Sequence, residues 1–189
     1  MNQIIAFFLI ASSLSTIRGE QCPIPPTAAN FSLERLNGTW FEIGKIQTFG
    51  GALIEGDCVC TELVYSKEDD THASVANICN DKTPDGKLKI ANSEITEVDN
   101  NPGAFEETFC SSCPPVSYTI VALDGQSMVE YDCSRNAIGI INYCFHVMSR
   151  TSTMDEETLV SLQNLVDEYD LNPHNISWKT TNQTGCGWR

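Results

Sequence analysis

The feature that most constrains the fold of this chain is a succession of short strand patterns with no helix pattern between them. A first strand opens at Trp40. Seven more strand-like segments follow it: Val59–Ser66, Ala73–Cys79, Lys87–Val98, Ala104–Cys110, Ser117–Asp124, Ser127–Cys133 and Asn142–Ser149. Short connections rich in Gly, Pro, Asn and Asp separate these segments, as turns require. Eight short strands in close succession predict an all-β domain, either an up-and-down barrel or a sandwich.

The first strand is unusual because both of its faces are apolar. Strand alternation puts Trp40, Gly44 and Ile46 on one face, and Phe41 and Ile43 on the other. An antiparallel strand with one solvated face would carry polar residues on that face. This strand therefore needs a barrel interior on one side and a second packing partner on the other.

One amphipathic helix pattern follows the strands. Thr153 and Glu156 predict a capping box at its start, and acidic residues fill the first turn, where the helix dipole favours them. Apolar residues at helical spacing form a single stripe: Leu159, Leu162, Leu165, Val166 and Tyr169. Asn172-Pro173 ends the pattern. The stripe predicts that the helix covers the outer face of the first strand.

The N-terminal segment and the charge predict a secreted, extracellular protein. Residues 1–19 have an apolar centre and end at Gly19, the pattern of a removed signal peptide, which leaves one domain over residues 20–189. The apolar run is shorter than the ~20 residues that span a bilayer, so no membrane span is predicted. Asp and Glu number 25 against 11 Lys and Arg, for a net charge of −14. Such a charge argues against nucleic acid and anionic membranes as partners.

The cysteines and sequons agree with secretion. Nine cysteines in a secreted chain indicate disulfides rather than catalytic thiols, and the odd count leaves one without an intrachain partner. Spacing alone does not give their connectivity. Four Asn-x-Ser/Thr sequons predict glycosylation sites: Asn30, Asn37, Asn175 and Asn182.

No catalytic or metal-binding pattern stands out along the chain. The three histidines are scattered, with no His-x-x-x-His or Cys/His metal spacing, and no Gly-x-Ser-x-Gly is present. Cys110 and Cys113 have the spacing of a redox motif but lack a βαβ setting, which favours a structural role in one bridge or two. The sequence therefore predicts no enzyme activity, no cofactor and no metal.

Two motifs at the ends of the strand region resemble the signatures of the lipocalin family. The first is Asn37-Gly38-Thr39-Trp40 with the strand that follows it, and the second is Ser149-Arg150 just before the capped helix. The intermediate family signature, Thr-Asp-Tyr, is here Leu123-Asp124-Gly125, so only its aspartate matches. The resemblance implies an eight-stranded antiparallel up-and-down β-barrel with one C-terminal α-helix packed on the outside.

The resemblance also implies roles for individual residues. Trp40, after the Gly38 turn, would close the bottom of the barrel, and Arg150 would pack across it with a cation–π contribution of ~1 kcal/mol. The implied disulfides are Cys22–Cys133 and a bond between Cys186 and either Cys58 or Cys60. Outside the family set, the hypotheses are that Cys79 bonds to the remaining one of that pair and that Cys144 bonds to Cys110 or Cys113.

Alternation and the family register nominate the lining of the barrel. If Trp40 points inward, so do Glu42, Gly44 and Ile46. Asp132 is expected to point inward as well. The predicted ligand-binding residues are Glu42, Ile46, Tyr118, Ile120, Met128, Glu130, His146 and Met148. A barrel of eight strands is wide enough for one small ligand.

The resemblance implies binding and transport of a small hydrophobic molecule such as a lipid, retinoid, tetrapyrrole or carotenoid, by a monomer or small homo-oligomer. Three alternatives remain open. Inward carboxylates would favour biogenic amines. A filled barrel would instead act on its outer surface as an inhibitor or interaction module. An enzyme that uses a pocket cysteine ranks behind both.

Overall fold

The computed structural model describes residues 21–50, 55–98 and 101–187; the predicted signal peptide, residues 1–19, lies outside this part. The elements in chain order are α1 (Leu33–Leu36), β1 (Gly38–Gln47), β2 (Cys58–Lys67), β3 (His72–Asp81), β4 (Leu88–Glu97), β5 (Ala104–Thr108), β6 (Val116–Leu123), β7 (Ser127–Arg135), β8 (Ile141–Ser149), α2 (Glu156–Gln163), α3 (Leu165–Glu168) and β9 (Lys179–Thr180). No helix in the described ranges has the length and apolar character needed to cross a membrane.

The strands form one antiparallel sheet that closes on itself. Neighbours follow chain order from β2 to β8, and β1 completes the ring by pairing with β8 on one side and β2 on the other. β1 pairs with β2 through its first half, and its second half pairs with the short strand β9. The predicted fold class, an eight-stranded antiparallel barrel with a C-terminal helix, is confirmed. Each of the seven later strands begins and ends within two residues of the predicted positions. This agreement arises because turn residues mark both ends of each strand.

A β-bulge in β1 changes which side chains point into the barrel. The register between β1 and β8 shifts between Glu42 and Gly44, so that Gly44 faces Val147 and Lys45 faces His146. Partner residues on adjacent strands lie on the same face of the sheet. The predicted inward orientation of Gly44 and Ile46 is therefore wrong, because the extra residue of the bulge reverses the alternation after it.

The apolar side chains form two separate clusters, one inside the barrel and one under the helices. The inner cluster surrounds Trp40 and includes Met128 and Met148. The outer cluster joins Ile46 and Phe145 to Val166 of α3, and it receives the predicted stripe of Leu159, Leu162, Leu165 and Tyr169. The first strand is thus covered on both faces.

The start of α2 differs from the prediction. Asp155, not Thr153, is the N-cap, and its carboxylate accepts a hydrogen bond from the Thr158 backbone N–H at 2.8 Å. A carboxylate at this position satisfies a free N–H and also interacts favourably with the positive end of the helix. The side chain of Thr153 is exposed. The backbone carbonyl oxygen of Thr153 accepts a hydrogen bond from the hydroxyl of Thr151.

One end of the barrel is closed by Trp40 and Arg150. The Trp40 ring is fully buried, its Nε1 donates to the Leu36 carbonyl at 2.7 Å, and the Arg150 guanidinium carbon lies 3.6 Å from the ring centroid. Gly38 has φ +100°, and a Cβ there would lie 3.2 Å from Arg150 Nη1. Only glycine adopts this backbone conformation without strain. Gly38 is therefore needed for the turn that leads from α1 into β1.

Four disulfides join the described chain: Cys22–Cys133, Cys58–Cys79, Cys60–Cys186 and Cys110–Cys113. The first agrees with the pairing that the resemblance implies, and the bond of Cys186 is to Cys60. Cys144 is buried on β8 with a free thiol. The hypothesis that Cys144 bonds to Cys110 or Cys113 is wrong, because those two are bonded to each other.

Candidate ligand site inside the barrel

A small cavity of about 70 Å³ lies inside the barrel, above the Trp40 floor. Its apolar wall consists of Leu63, Val75, Phe109, Val116 and Tyr118. Its polar wall consists of Glu55, Asn77, Ser93, Glu107, Glu130, Asp132, Ser134 and His146. Pockets for drug-sized ligands span about 300–1,000 Å³. This cavity is therefore compact, and it is rich in carboxylates.

Glu130 is the centre of a buried hydrogen-bond network. Its Oε2 accepts hydrogen bonds from the hydroxyls of Tyr65, at 2.6 Å, and Tyr118. Its Oε1 lies 2.7 Å from Nδ1 of His146. Burial and the neighbouring carboxylate hold the pKa values of both tyrosines well above their usual range, so both remain hydrogen-bond donors. Both carboxylate oxygens of Glu130 therefore accept hydrogen bonds from neighbouring side chains.

His146 is a buried cation at neutral pH. Burial by itself would lower its pKa, but the hydrogen bond to Glu130 and the nearby charge of Glu42 outweigh this effect and raise the pKa to about 9. The ring is almost fully buried. Glu130 and His146 therefore form a charge pair in a region with little water.

Glu42 and Lys45 form a second buried pair, three residues apart on either side of the bulge. Lys45 Nζ lies 3.3 Å from Glu42 Oε2, and the hydroxyl of Thr181 donates to Glu42 Oε1. Burial opposes both charges, but their mutual attraction prevails. It lowers the pKa of Glu42, with help from His146, and raises the pKa of Lys45, with help from Glu55.

Three further carboxylates line the interior, and of these only Glu55 lies near a cation, at 3.8 Å from Lys45 Nζ and 4.0 Å from His146 Nε2 in the described part of the chain. Burial raises the pKa of Glu107 to about 7, although Ser93 Oγ donates to its Oε1 at 2.6 Å. Burial also raises the pKa of Glu55. Asp132, which keeps partial contact with solvent, shows a raised pKa through loss of hydration and the nearby charges of Glu107 and Glu130. Among the described residues, the interior holds five carboxylates and two cations.

The eight predicted ligand-binding residues lie in four different places. Tyr118, Glu130 and His146 line the cavity. Ile120, Met128 and Met148 pack below it around Trp40. Glu42 is buried beside His146, at 3.8 Å from its Nε2. Ile46 lies outside the barrel, as described above.

The structure adds interior residues that sequence reasoning missed. Lys45 points inward because of the bulge, and no sequence pattern in β1 predicts that bulge. Glu55 enters from the loop before β2, where alternation does not apply. Glu107 shares the face of Phe105, a buried residue two positions earlier on β5. That alternation was available in the sequence and could have identified Glu107.

The four sequon asparagines, at positions 30, 37, 175 and 182, are all exposed. The side-chain oxygen of Asn37 accepts a hydrogen bond from the Lys67 backbone N–H at 2.9 Å. Exposure is compatible with glycosylation, which stays a prediction.

Comparison with known proteins agrees with the fold. Residues 31–180 match the family model of the lipocalin-like domain. Apolipoprotein D from Rattus norvegicus is 27% identical over 94% of this chain and 93% of that protein, and apolipoprotein D from Mus musculus is 25% identical over the same shares. A similarity to apolipoprotein D was expected from the Cys22–Pro26 arm, the strand end at Cys133 and the C-terminal cysteine, and it is confirmed.

Solved structures give the same picture at the level of the fold. Insecticyanin from the tobacco hornworm Manduca sexta superposes with a TM-score of 0.68, at 16% identity, over 88% of each chain. Lobster apocrustacyanin A1 superposes with a TM-score of 0.62, at 13% identity, over 80% of this chain and 79% of that one. These identities are low, so the likeness shows a shared fold.

Proposed function

The chain belongs to the lipocalin family, and from this premise we propose that it is a secreted carrier of a compact ligand with an apolar part and a cationic group. Lipocalins and the relatives found here are binding or transport proteins, which supports binding of a small hydrophobic ligand in general. The protein would act by binding alone, without a reaction. The signal-peptide pattern and the four disulfides support secretion.

The observation that carries this proposal is the surplus of carboxylates in the barrel. Lys45 and His146 accompany Glu42 and Glu130, whereas Glu107 and Asp132 face the cavity and form no ion pair with any cation of the described residues. A buried carboxylate without a partner takes up a proton instead of staying charged, and the raised pKa values express this cost. A bound ammonium group would let both side chains ionise.

The remaining walls support an apolar part on the same ligand. Phe109 and Val116 lie on the cavity wall beyond Tyr118. Phe109 is 49% exposed, so it lies where the cavity meets solvent. If the cationic group of a ligand binds the carboxylates, its alkyl group can extend toward Phe109. Each Å² of apolar surface that it buries there would contribute roughly 25 cal/mol to the binding free energy.

Matched pairs of ligands test the proposal. We expect n-alkylamines from propylamine to hexylamine to bind at pH 8 at least tenfold more tightly than the corresponding alcohols, measured by isothermal titration calorimetry. Affinity should weaken at pH 5.5, because Glu107, with its pKa of about 7, binds a proton there. Absence of amine binding below millimolar concentration would contradict the proposal.

A pair of neighbouring variants supplies the control. Glu107→Gln keeps the size of the side chain and should weaken amine binding about tenfold, which corresponds to ~1.4 kcal/mol. Glu106→Gln changes the adjacent, exposed residue of β5 and should leave the affinity unchanged. Equal losses in both variants would point to the net charge of the surface and not to the cavity.

A second candidate is a neutral or larger hydrophobic ligand such as a lipid, retinoid, tetrapyrrole or carotenoid. The likeness to proteins named apolipoprotein D, insecticyanin and apocrustacyanin favours it. Such a ligand needs more room than about 70 Å³, so the inner side chains would have to move apart. Native mass spectrometry and visible absorbance of the purified protein distinguish the two: a bound pigment or lipid supports this candidate.

A further inference from the structure

We propose that Glu42, Glu55 and His146 form a binding site for one divalent transition-metal ion of the Zn²⁺ class inside the barrel. This site goes beyond ligand carriage, since it requires no organic ligand. It shares Glu55 and His146 with the cavity wall, while Glu42 lies beside the cavity. The three residues come from β1, β8 and the loop before β2, so the sequence spacing that identifies many metal sites is absent here.

The first argument is that donor atoms of three buried side chains converge. Nε2 of His146 lies 3.8 Å from Oε2 of Glu42 and 4.0 Å from Oε2 of Glu55, and all three donor atoms lie within 4.8 Å of one another. In the described part of the chain, Nε2 of His146 and Oε2 of Glu55 make no hydrogen bond. Both side chains are more than nine-tenths buried. Buried polar atoms without hydrogen bonds are costly, so their convergence favours a ligand that they can bind together.

The second argument is that the other polar atom of each residue is held in place. Nδ1 of His146 lies 2.7 Å from Glu130 Oε1, and because a carboxylate only accepts, Nδ1 carries the proton. This leaves Nε2 as the metal-binding nitrogen. Carboxylate–histidine pairs of this kind orient metal ligands in many proteins.

The two carboxylates have the same support. The hydroxyl of Thr181 donates to Oε1 of Glu42, and Nδ2 of Asn77 donates to Oε1 of Glu55. In each case the outer oxygen is bound and the inner one points to the shared centre. Each of the three candidate ligands is therefore oriented by a hydrogen bond at its other polar atom.

Charge and distance select the class of ion. One imidazole and two carboxylates suit first-row transition ions such as Zn²⁺, whereas Ca²⁺ takes six to eight oxygen ligands. In a tetrahedral site with bonds of about 2.1 Å, donor atoms lie about 3.4 Å apart. The observed separations of 3.8 and 4.0 Å need to shorten by roughly half an ångström. The ion would replace the Nε2 proton of His146, which adds one net positive charge to an acidic interior.

Lys45 is the group with which the ion must compete. Its Nζ lies 3.3 Å from Oε2 of Glu42 and 3.8 Å from Oε2 of Glu55, so the ammonium already contacts two of the three donor atoms. This shows that the position favours a cation. It also predicts that the ion binds more tightly when the ammonium is removed.

Metal titration of the intact protein tests the site. We expect one equivalent of Co²⁺ to give the visible absorption of a low-symmetry site, and Zn²⁺ to displace it stoichiometrically. Ca²⁺ and Mg²⁺ should not displace it. Glu55→Gln should lower the Zn²⁺ affinity at least 100-fold in competition with a chromogenic chelator, and Glu130→Gln, which changes a positioning residue, about 10- to 100-fold. His72→Gln alters a half-exposed histidine outside the cluster and should have no effect.

Lys45→Met is the second variant, and it gives a gain instead of a loss. It should raise the Zn²⁺ affinity at least tenfold, a result that a damaged fold does not produce. Circular dichroism and thermal melts verify that each variant is folded. The proposal is overturned if one-to-one binding is absent, if Glu55→Gln binds like the unaltered protein, if His72→Gln loses the ion, or if Lys45→Met gains nothing. None of these outcomes depends on whether amines bind.

Discussion

At the scale of single residues, Glu107 shows how the barrel interior departs from an apolar core. Its side chain is 8% exposed, and its neighbours across the cavity include Glu130 and Glu55. Burial and these like charges raise its pKa to about 7, against 4.5 for an exposed glutamate. The folded state therefore binds a proton at Glu107 more tightly than the unfolded chain does.

This difference makes the contribution of Glu107 to stability depend on pH. A raised pKa favours the folded state below pH 4.5, and the advantage is lost as the pH rises to about 7. At pH 8 the ionised side chain should cost about 3 kcal/mol, since each unit of pKa difference corresponds to ~1.4 kcal/mol. We expect Glu107→Gln to raise the free energy of unfolding at pH 8 by about 1–3 kcal/mol.

The same variant should have little effect at pH 4, where Glu107 is protonated in the folded state. Urea unfolding followed by circular dichroism at both pH values measures the difference. Glu106→Gln serves as the exposed control. An equal change at both pH values for Glu107→Gln would contradict the assigned pKa.

At the scale of elements, the ends and irregularities of β1 and α2 decide where side chains lie. The bulge after Glu42 brings Lys45 inward and Ile46 outward. α2 begins at Glu156, directly after its N-cap Asp155, and not after Thr153. Neither feature followed from the sequence patterns. Alternation passed through the bulge unbroken, and the capping-box pattern favoured Thr153 over Asp155 as the N-cap.

The N-cap assignment leads to a test on α2. Asp155→Ala should lower the free energy of unfolding by about 1 kcal/mol, because the Thr158 N–H loses its acceptor and the first turn loses a negative charge. Thr153→Ala should change it by less than about 0.5 kcal/mol, since an exposed side chain away from the cap contributes little. Chemical denaturation of the two variants distinguishes the caps. A larger loss of unfolding free energy for Thr153→Ala would indicate that Thr153, and not Asp155, is the N-cap.

At the scale of the whole molecule, the disulfides differ in how much of the chain they constrain. Cys22–Cys133 ties the N-terminal arm to β7 over a sequence separation of 111, while Cys110–Cys113 closes a separation of 3. A crosslink stabilises mainly by limiting the unfolded chain, and its effect grows with loop length. The first bond should therefore contribute far more than the second.

Double alanine variants measure this contrast. Cys22→Ala with Cys133→Ala should lower the free energy of unfolding by about 4–5 kcal/mol on the loop-entropy estimate, and Cys110→Ala with Cys113→Ala by about 1–2 kcal/mol. Guanidinium unfolding under non-reducing conditions gives both values. If the two pairs cost the same, loop closure is not the main source of their stabilisation.

The architecture of this protein follows from patterns that are visible in its sequence. Turn residues bounded each strand, the two apolar faces of the first strand required an interior and a cover, and the helical stripe supplied the cover. Trp40 and Arg150 meet at the barrel base as the resemblance implied. Alternation counted in the register that the resemblance implied also placed Glu130 and His146 inward, and this placement holds because their strands pair without a bulge.

The chemistry of the interior, in contrast, depends on contacts that exist only in the folded chain. A single extra residue in β1 reversed the orientation of Lys45 and Ile46, and a loop delivered Glu55 to a position beside His146. The sequence left open whether Cys110 and Cys113 bond to each other or to different partners, and the structure shows that they bond to each other and leave Cys144 free. The physical reason is that local patterns report which residues are buried, whereas charge pairs, bulges and convergent donor atoms arise from contacts between distant parts of the chain.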